Sequence, residues 1–143
     1  MDIKANLEQV KKSFRNPACQ LIAVSKTKPL LDLQAAYAAG IRDFGENKVQ
    51  EIQAKQGEMP ADTRWHMIGH LQSNKIKYIA PFVHLIHGVD SFKLLLEIDK
   101  QGKKIDRIIP VLLQIHIATE ESKFGFDQEE LEAMICSSEF ANL

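Results

Sequence analysis

Five near-continuous apolar runs recur along this chain, and each is followed by a one-sided helical pattern. The runs occupy residues 20–25, 41–45, 64–69, 83–88 and 108–115. Runs of four to eight residues bounded by turn signals suit strands buried on both faces. Between them, Pro29 and Asp32 open a helix with Leu30, Leu33, Ala36 and Tyr37 on its apolar side, and Gly40 is placed as its C′ residue. Val49 and Ile52 mark a helix running to Gly57, and Ser73 is expected to cap a short one through Ile79, stopped by Pro81. Asp90 or Ser91 caps a helix carrying Phe92, Leu95 and Leu96 and closed by Gly102. Asp127 and Glu130 have capping-box spacing before Leu131, Met134 and Ile135. Ahead of the first strand, Ile3, Leu7, Val10 and Phe14 predict a helix over 2–15, with Asp2 as N-cap and Pro17 as its stop.

About five β-then-α units spaced roughly 20–25 residues apart require a parallel sheet covered by helices. Two architectures satisfy that pattern, an open doubly wound sheet and a (β/α) barrel of TIM type. No Gly-x-Gly-x-x-Gly follows any strand and no phosphate-loop motif occurs, so neither nucleotide version of the open sheet has support. The 143 residues suit one domain, and an apolar fraction of 45% suits a real core. A net charge of −1 gives no electrostatic case for nucleic acid or an anionic membrane. No apolar run reaches the roughly 18 residues of a membrane span. The charged N-terminus, with Asp2, Lys4, Glu8, Lys11 and Lys12, does not read as a signal peptide. Cys19 and Cys136 have neither metal-ligand spacing nor a disulfide framework, so a reducing, cytoplasmic setting is expected.

Both architectures place the ligand site at the carboxyl ends of the strands. Those ends carry Ser25 and Lys26, Glu46 and Asn47, His70 and Gln72, His87 and Asp90, and His116. Lys26 directly follows Leu21-Ile22-Ala23-Val24-Ser25. A strand-end lysine ordinarily faces water. Here it could instead serve as an amine nucleophile, with Ile22–Val24 as an apolar wall that disfavours its charged form. His66, Ile68 and His70 alternate onto one strand face. A single strand histidine is ordinarily a hydrogen-bonded core or rim residue. The histidines form no His-x-x-x-His helical pair and have no acidic partner at ligand spacing, which argues against a metal. No Gly-x-Ser-x-Gly elbow supports a Ser-His-Asp hydrolase. Lys123, in Glu120-Glu121-Ser122-Lys123-Phe124-Gly125, is expected at the same end as Lys26.

Four segments, in order, are specific. They are Ala23-Val24-Ser25-Lys26-Thr27-Lys28-Pro29, Phe44-Gly45-Glu46-Asn47-Lys48-Val49-Gln50-Glu51, Trp65-His66-Met67-Ile68-Gly69-His70-Leu71-Gln72-Ser73-Asn74-Lys75 and Glu121-Ser122-Lys123-Phe124-Gly125. Together they resemble the pyridoxal phosphate homeostasis family, the YggS/PROSC-like proteins, from about residue 20 onward. The resemblance implies a fold-type III barrel like the N-terminal domain of alanine racemase. It implies pyridoxal 5′-phosphate as cofactor, carried as an aldimine on Lys26, with Asn47 and His66 as further cofactor-binding residues. Met67 stands where the family motif has Phe, and His116 where it usually has Asn. Family members bind the cofactor and buffer the intracellular supply of vitamin B6, so no substrate turnover is expected.

A full (β/α)₈ barrel needs about 250 residues. Residues 1–143 are therefore expected to form a single partial barrel domain of about five βα units. In the family, the loops that hold the cofactor phosphate and the arginine facing the pyridine nitrogen belong to the C-terminal third. Binding that is weak and indifferent to the phosphate is the expectation for these residues alone. The sheet edges left exposed predict self-association. The alternative is a racemase- or decarboxylase-like enzyme built on the same lysine. A class I aldolase-type barrel is a third reading, with Glu46 as its nearest acid/base candidate.

Overall fold

The computed structural model of the protein describes residues 2–117 and 124–143. Five strands, β1 (Ala23–Val24), β2 (Asp43–Glu46), β3 (Arg64–Met67), β4 (Leu85–Val89) and β5 (Val111–Leu113), form one sheet. All neighbouring pairs are parallel, and the spatial order is β1-β2-β3-β4-β5. A doubly wound sheet reverses its strand order at a switch point. This sheet never does, so of the two architectures the barrel type is the one formed, as an incomplete (β/α) barrel. The helices are α1 (Ile3–Lys12), α2 (Leu30–Ala38), α3 (Val49–Gln56), α4 (Ile76–Ile79), α5 (Phe92–Lys104), α6 (Gln128–Ile135) and α7 (Ser138–Ala141). No helix among the described residues is long and apolar enough to cross a membrane.

Local chemistry sets the boundaries. Asp2 caps α1 by accepting from the Ala5 amide, and Ser91 caps α5 by accepting from Leu94. The Asp127/Glu130 capping box is formed in full. Gly40 takes φ +93 after α2, where its amide donates to the Tyr37 carbonyl and the Ile41 amide to Ala36. This pair of bonds is a Schellman closure, and it needs the left-handed backbone that glycine adopts without strain.

Three expected boundaries differ. Ser73 opens a 3₁₀ turn (Ser73–Lys75) and caps nothing with its side chain. Gly102 does not close α5, which runs on to Lys104. Its Cα hydrogen faces the chain instead, because a methyl there would meet the Arg107 carbonyl oxygen at 2.5 Å. β5 is three residues rather than eight. Its pairing with β4 shifts register between Ile86 and Val89, which interrupts the ladder.

Register assigns the two sheet faces. Phe44 pairs with Trp65, and Glu46 aligns with Met67 and Ile86. Trp65, Phe44, Met67 and Ile86 belong to one buried cluster with the helix residues Leu33, Ile52, Ile76 and Ile98. Each such side chain contributes about 1.5–3 kcal/mol by leaving water. The opposite rows, Gly45–His66–Leu85 and Asp43–Arg64, face the concave side, the lumen of the incomplete barrel.

At the strand ends the backbones crowd. A methyl on Gly69 would lie 2.5 Å from the Asn47 carbonyl oxygen, and one on Gly57 would meet nothing within 4 Å. Gly69→Ala should therefore destabilise the fold by about 1–3 kcal/mol, as overpacking does. Gly57→Ala should be neutral or slightly stabilising. Paired urea melts would test this, and equal midpoints would disprove the close approach.

Candidate functional site

Parallel strands place all five carboxyl ends on one rim. A methyl built on Gly45 would lie 3.2 Å from Ile22 Cγ2 and 3.0 Å from Ile68 Cδ1, so these three residues share the lumen face. Alternation along β1 carries Ile22 and Val24 onto that face, and Lys26 follows in the turn just past the end of the strand. Lys26 is exposed, and so is its wall, since Val24 is 54% accessible. The expected burial of the amine against Ile22–Val24 is therefore not made by the described residues. Asn47 follows the last residue of β2 and is half-buried.

Ser25 and Glu46 do not join the rim. Both are buried and turned to the helix side, because they alternate with Lys26 and Gly45. The Ser25 hydroxyl donates to Glu46 Oε1 at 2.7 Å, and Lys55 Nζ donates to the same oxygen at 2.7 Å. The aldolase-type reading thereby loses its acid/base candidate.

Deeper in the lumen, His66 is 2% exposed with both ring nitrogens engaged. Its Nε2 lies 2.9 Å from Asp43 Oδ1, and its Nδ1 lies 2.9 Å from His87 Nε2. A carboxylate only accepts, so Nε2 carries the proton. In the neutral ring, Nδ1 then accepts from His87. Arg64 grips Asp43 through both oxygens, with Nε 2.7 Å from Oδ1. Burial alone would raise the Asp43 carboxyl, but the bonds from Arg64 and His66 outweigh it and hold the group well below the usual carboxylate range.

Sequence spacing offered the histidines no acidic partner, yet the fold supplies one. Asp43, His66 and His84 bring potential ligand atoms within 4.8 Å of one another. The guanidinium of Arg64 already neutralises that carboxylate, and a cation would have to displace it and the His66 bond. The cluster is therefore a hydrogen-bonded ion-pair chain. No motif marked it; the only hint was a charged residue, Asp43, inside a strand buried on both faces.

At the rim, His70 Nδ1 lies 3.2 Å from Asp90 Oδ2, and its ring centre is 5.2 Å from that of Phe124. His116 is half-buried, and its backbone amide donates to the Phe126 carbonyl. Lys123 lies outside the described residues.

The barrel-type sheet defines a known fold class. The alanine racemase N-terminal domain model matches residues 1–141, and the chain belongs to that family. Within it, the curated relatives matched carry the name pyridoxal phosphate homeostasis protein. One from Pseudomonas aeruginosa is 42% identical over 130 residues, which cover 89% of this chain and 56% of the relative. One from Synechocystis is 39% identical, covering 80% of this chain and 54% of the relative. The chain thus spans about half the length of the curated relatives it matches. The structure of PipY from Synechococcus elongatus with PLP bound superposes with a TM-score of 0.85 at 38% identity, covering 93% of this chain and 62% of that one.

The histidine chain makes a prediction about acid. Burial, and next the neighbouring His66, push His87 below its ordinary value of 6.5. The unfolded chain then binds the proton more tightly than the folded one. Stability from this residue is present above about pH 6.5 and falls as the pH drops below it. His84 is shifted in the same direction, again mainly by burial. His87→Gln, which keeps a donor for His66, should reduce the loss of melting temperature between about pH 7.5 and 5.5. An unchanged slope would refute the assignment.

Proposed function

We propose that this chain is a carrier of pyridoxal 5′-phosphate in vitamin B6 homeostasis, with Lys26 as its attachment point. When bound, the cofactor supplies an aldehyde that condenses with a lysine amine and releases water. The observation that supports this reading is the placement of Lys26. It is exposed, in the turn that directly follows the first parallel strand. Asn47 directly follows the neighbouring strand β2, and is the second cofactor-binding residue of the proposal. Gly45, on β2, is closely packed by Ile22 and Ile68. His66 enters as the lumen residue that, with Asp43 and His87, fixes the wall beneath. The PLP-bound PipY structure and the names of the relatives favour the same cofactor.

A carrier fits better than a catalyst. The relatives are named for homeostasis, and the carboxylate next to Asn47 in sequence, Glu46, is buried on the helix side against Lys55. No turnover of alanine or another amino acid is expected. Exposed free Cys19 and Cys136 fit a reducing, cytoplasmic setting. Exposed apolar side chains on the two edge strands, Val24 on β1 and Leu112 on β5, support self-association as part of the proposal.

Borohydride trapping tests the attachment. After incubation with pyridoxal 5′-phosphate and reduction, peptide mapping should find the label on Lys26 in clear excess over every other lysine. Lys26→Ala should remove it. Label spread evenly over the surface lysines would overturn the proposal.

A further inference from the structure

A charged cluster lies behind β1, on the helix side of the sheet. It touches both neighbours of Lys26. On one side, the Ser25 hydroxyl donates to Glu46 Oε1 at 2.7 Å, and the Ser25 carbonyl accepts from Lys55 Nζ at 3.0 Å. On the other, the Thr27 amide donates to Glu51 Oε2 at 2.8 Å. Lys55 joins the halves, donating to Glu46 Oε1 at 2.7 Å and to Glu51 Oε2 at 3.2 Å. One ammonium and two carboxylates, from β2 and α3, therefore grip the chain immediately before and immediately after Lys26.

The gripped backbone is strained. Thr27 has φ +62, a left-handed conformation that a β-branched residue rarely adopts. Such outliers persist only where the surroundings over-determine them. Thr27 is held by the Glu51 bond, by its own hydroxyl donating to the Lys26 carbonyl at 2.6 Å, and by the turn in which the Lys28 amide donates to the Ser25 carbonyl at 3.1 Å. The Thr27 amide bond is also the chief reason that the Glu51 carboxyl sits below its ordinary range. Glu46 is fully buried, and its Oε2 has no partner among the described residues. A half-satisfied buried carboxylate opposes stability. Strain and an orphaned oxygen in the same cluster point to a function other than holding the fold together.

We infer that the Glu46–Lys55–Glu51 cluster is a positioning device for Lys26, fixing the peptide units on either side so that its amine projects from the lumen face. The inference rests on the reading of Lys26 as the attachment point. The three charged residues touch the helix-side backbone and never the lumen, so they act through Lys26. If Thr27 relaxed to negative φ, the peptide between Lys26 and Thr27 would rotate and re-aim the side chain.

Glu51 is the member to change, since its side chain is 24% exposed where that of Glu46 is fully buried. The measurements are the rate of borohydride-trapped labelling at Lys26 relative to the other lysines, and amide exchange over residues 25–28 without cofactor. Both are made well below the melting temperature of each variant. Glu51→Ala should slow Lys26 labelling about tenfold, leave the other lysines unchanged and speed exchange at Thr27. Glu51→Gln, which keeps an acceptor for the Thr27 amide, should stay within about threefold of wild type. Thr27→Gly added to Glu51→Ala should recover most of the rate, because glycine takes positive φ without strain. Selective labelling of wild type with no change in rate or exchange in Glu51→Ala would overturn the positioning role alone. Unselective labelling of wild type would overturn the attachment reading and the positioning role with it. If Glu51→Ala does not fold, Glu51→Asp, whose carboxylate is a methylene too short for the Thr27 amide, replaces it in the same two measurements, and wild-type labelling and exchange in that variant refute the device.

Discussion

A carboxylate buried on each face of β2 must be answered by a cation brought from another element. Strand alternation sends Asp43 to the lumen and Glu46 to the helices, and both are almost wholly removed from water. Leaving either unpaired would cost several kcal/mol. Arg64 arrives from β3 for the first and Lys55 from α3 for the second. These two pairings fix β2 against its neighbours in register and in tilt. The histidine chain grows from one of them, and the tie to the Lys26 turn grows from the other. Neighbouring hydrophobic packing could shift by a methyl group and keep its burial; a charge pair of this kind has one arrangement.

The fold was legible because its signals are local and repeated. Apolar runs, caps and helix stops recur in step, and the strand order follows once each unit lies beside the previous one. Gly40, Ser91 and the Asp127/Glu130 box are read from a few adjacent residues, and each does in the structure what its chemistry dictates. Ser73 and Gly102 misled for a shared reason. Both residue types are used at helix ends and also at close approaches or tight turns, and only the tertiary neighbour decides. Arg107 is that neighbour for Gly102.

The site was legible in part. Lys26 and Asn47 could be placed on the rim by counting along strands, and the motifs around them carried the family resemblance. The facing of Ser25 and Glu46 was lost because reading the end of a strand as a point ignores that consecutive residues leave it in opposite directions. The Asp43–His66–His87 chain joins three strands across separations of 23 and 21 residues, which no linear spacing reveals. Lys55 and Glu51 had a visible signal in their i,i+4 pairing on α3, but such pairs usually decorate a solvated helix face.

Strictly sequential strand order gives the sheet the energetics of a linear array. Each unit rests mainly on the one before and the one after, as in stacked-repeat proteins. β2, β3 and β4 have a partner on both sides, and β2 and β3 are the most buried, whereas β1 and β5 each have one strand neighbour among the described residues. Local opening free energies should then grade from the middle outward, highest around Trp65 and Met67 and lowest at the two borders. The turn bearing Lys26 lies at one border, so the softest part of the array is also its most chemically exposed. In that setting, tethers to α3 give a peripheral lysine a share of the rigidity that belongs to the centre.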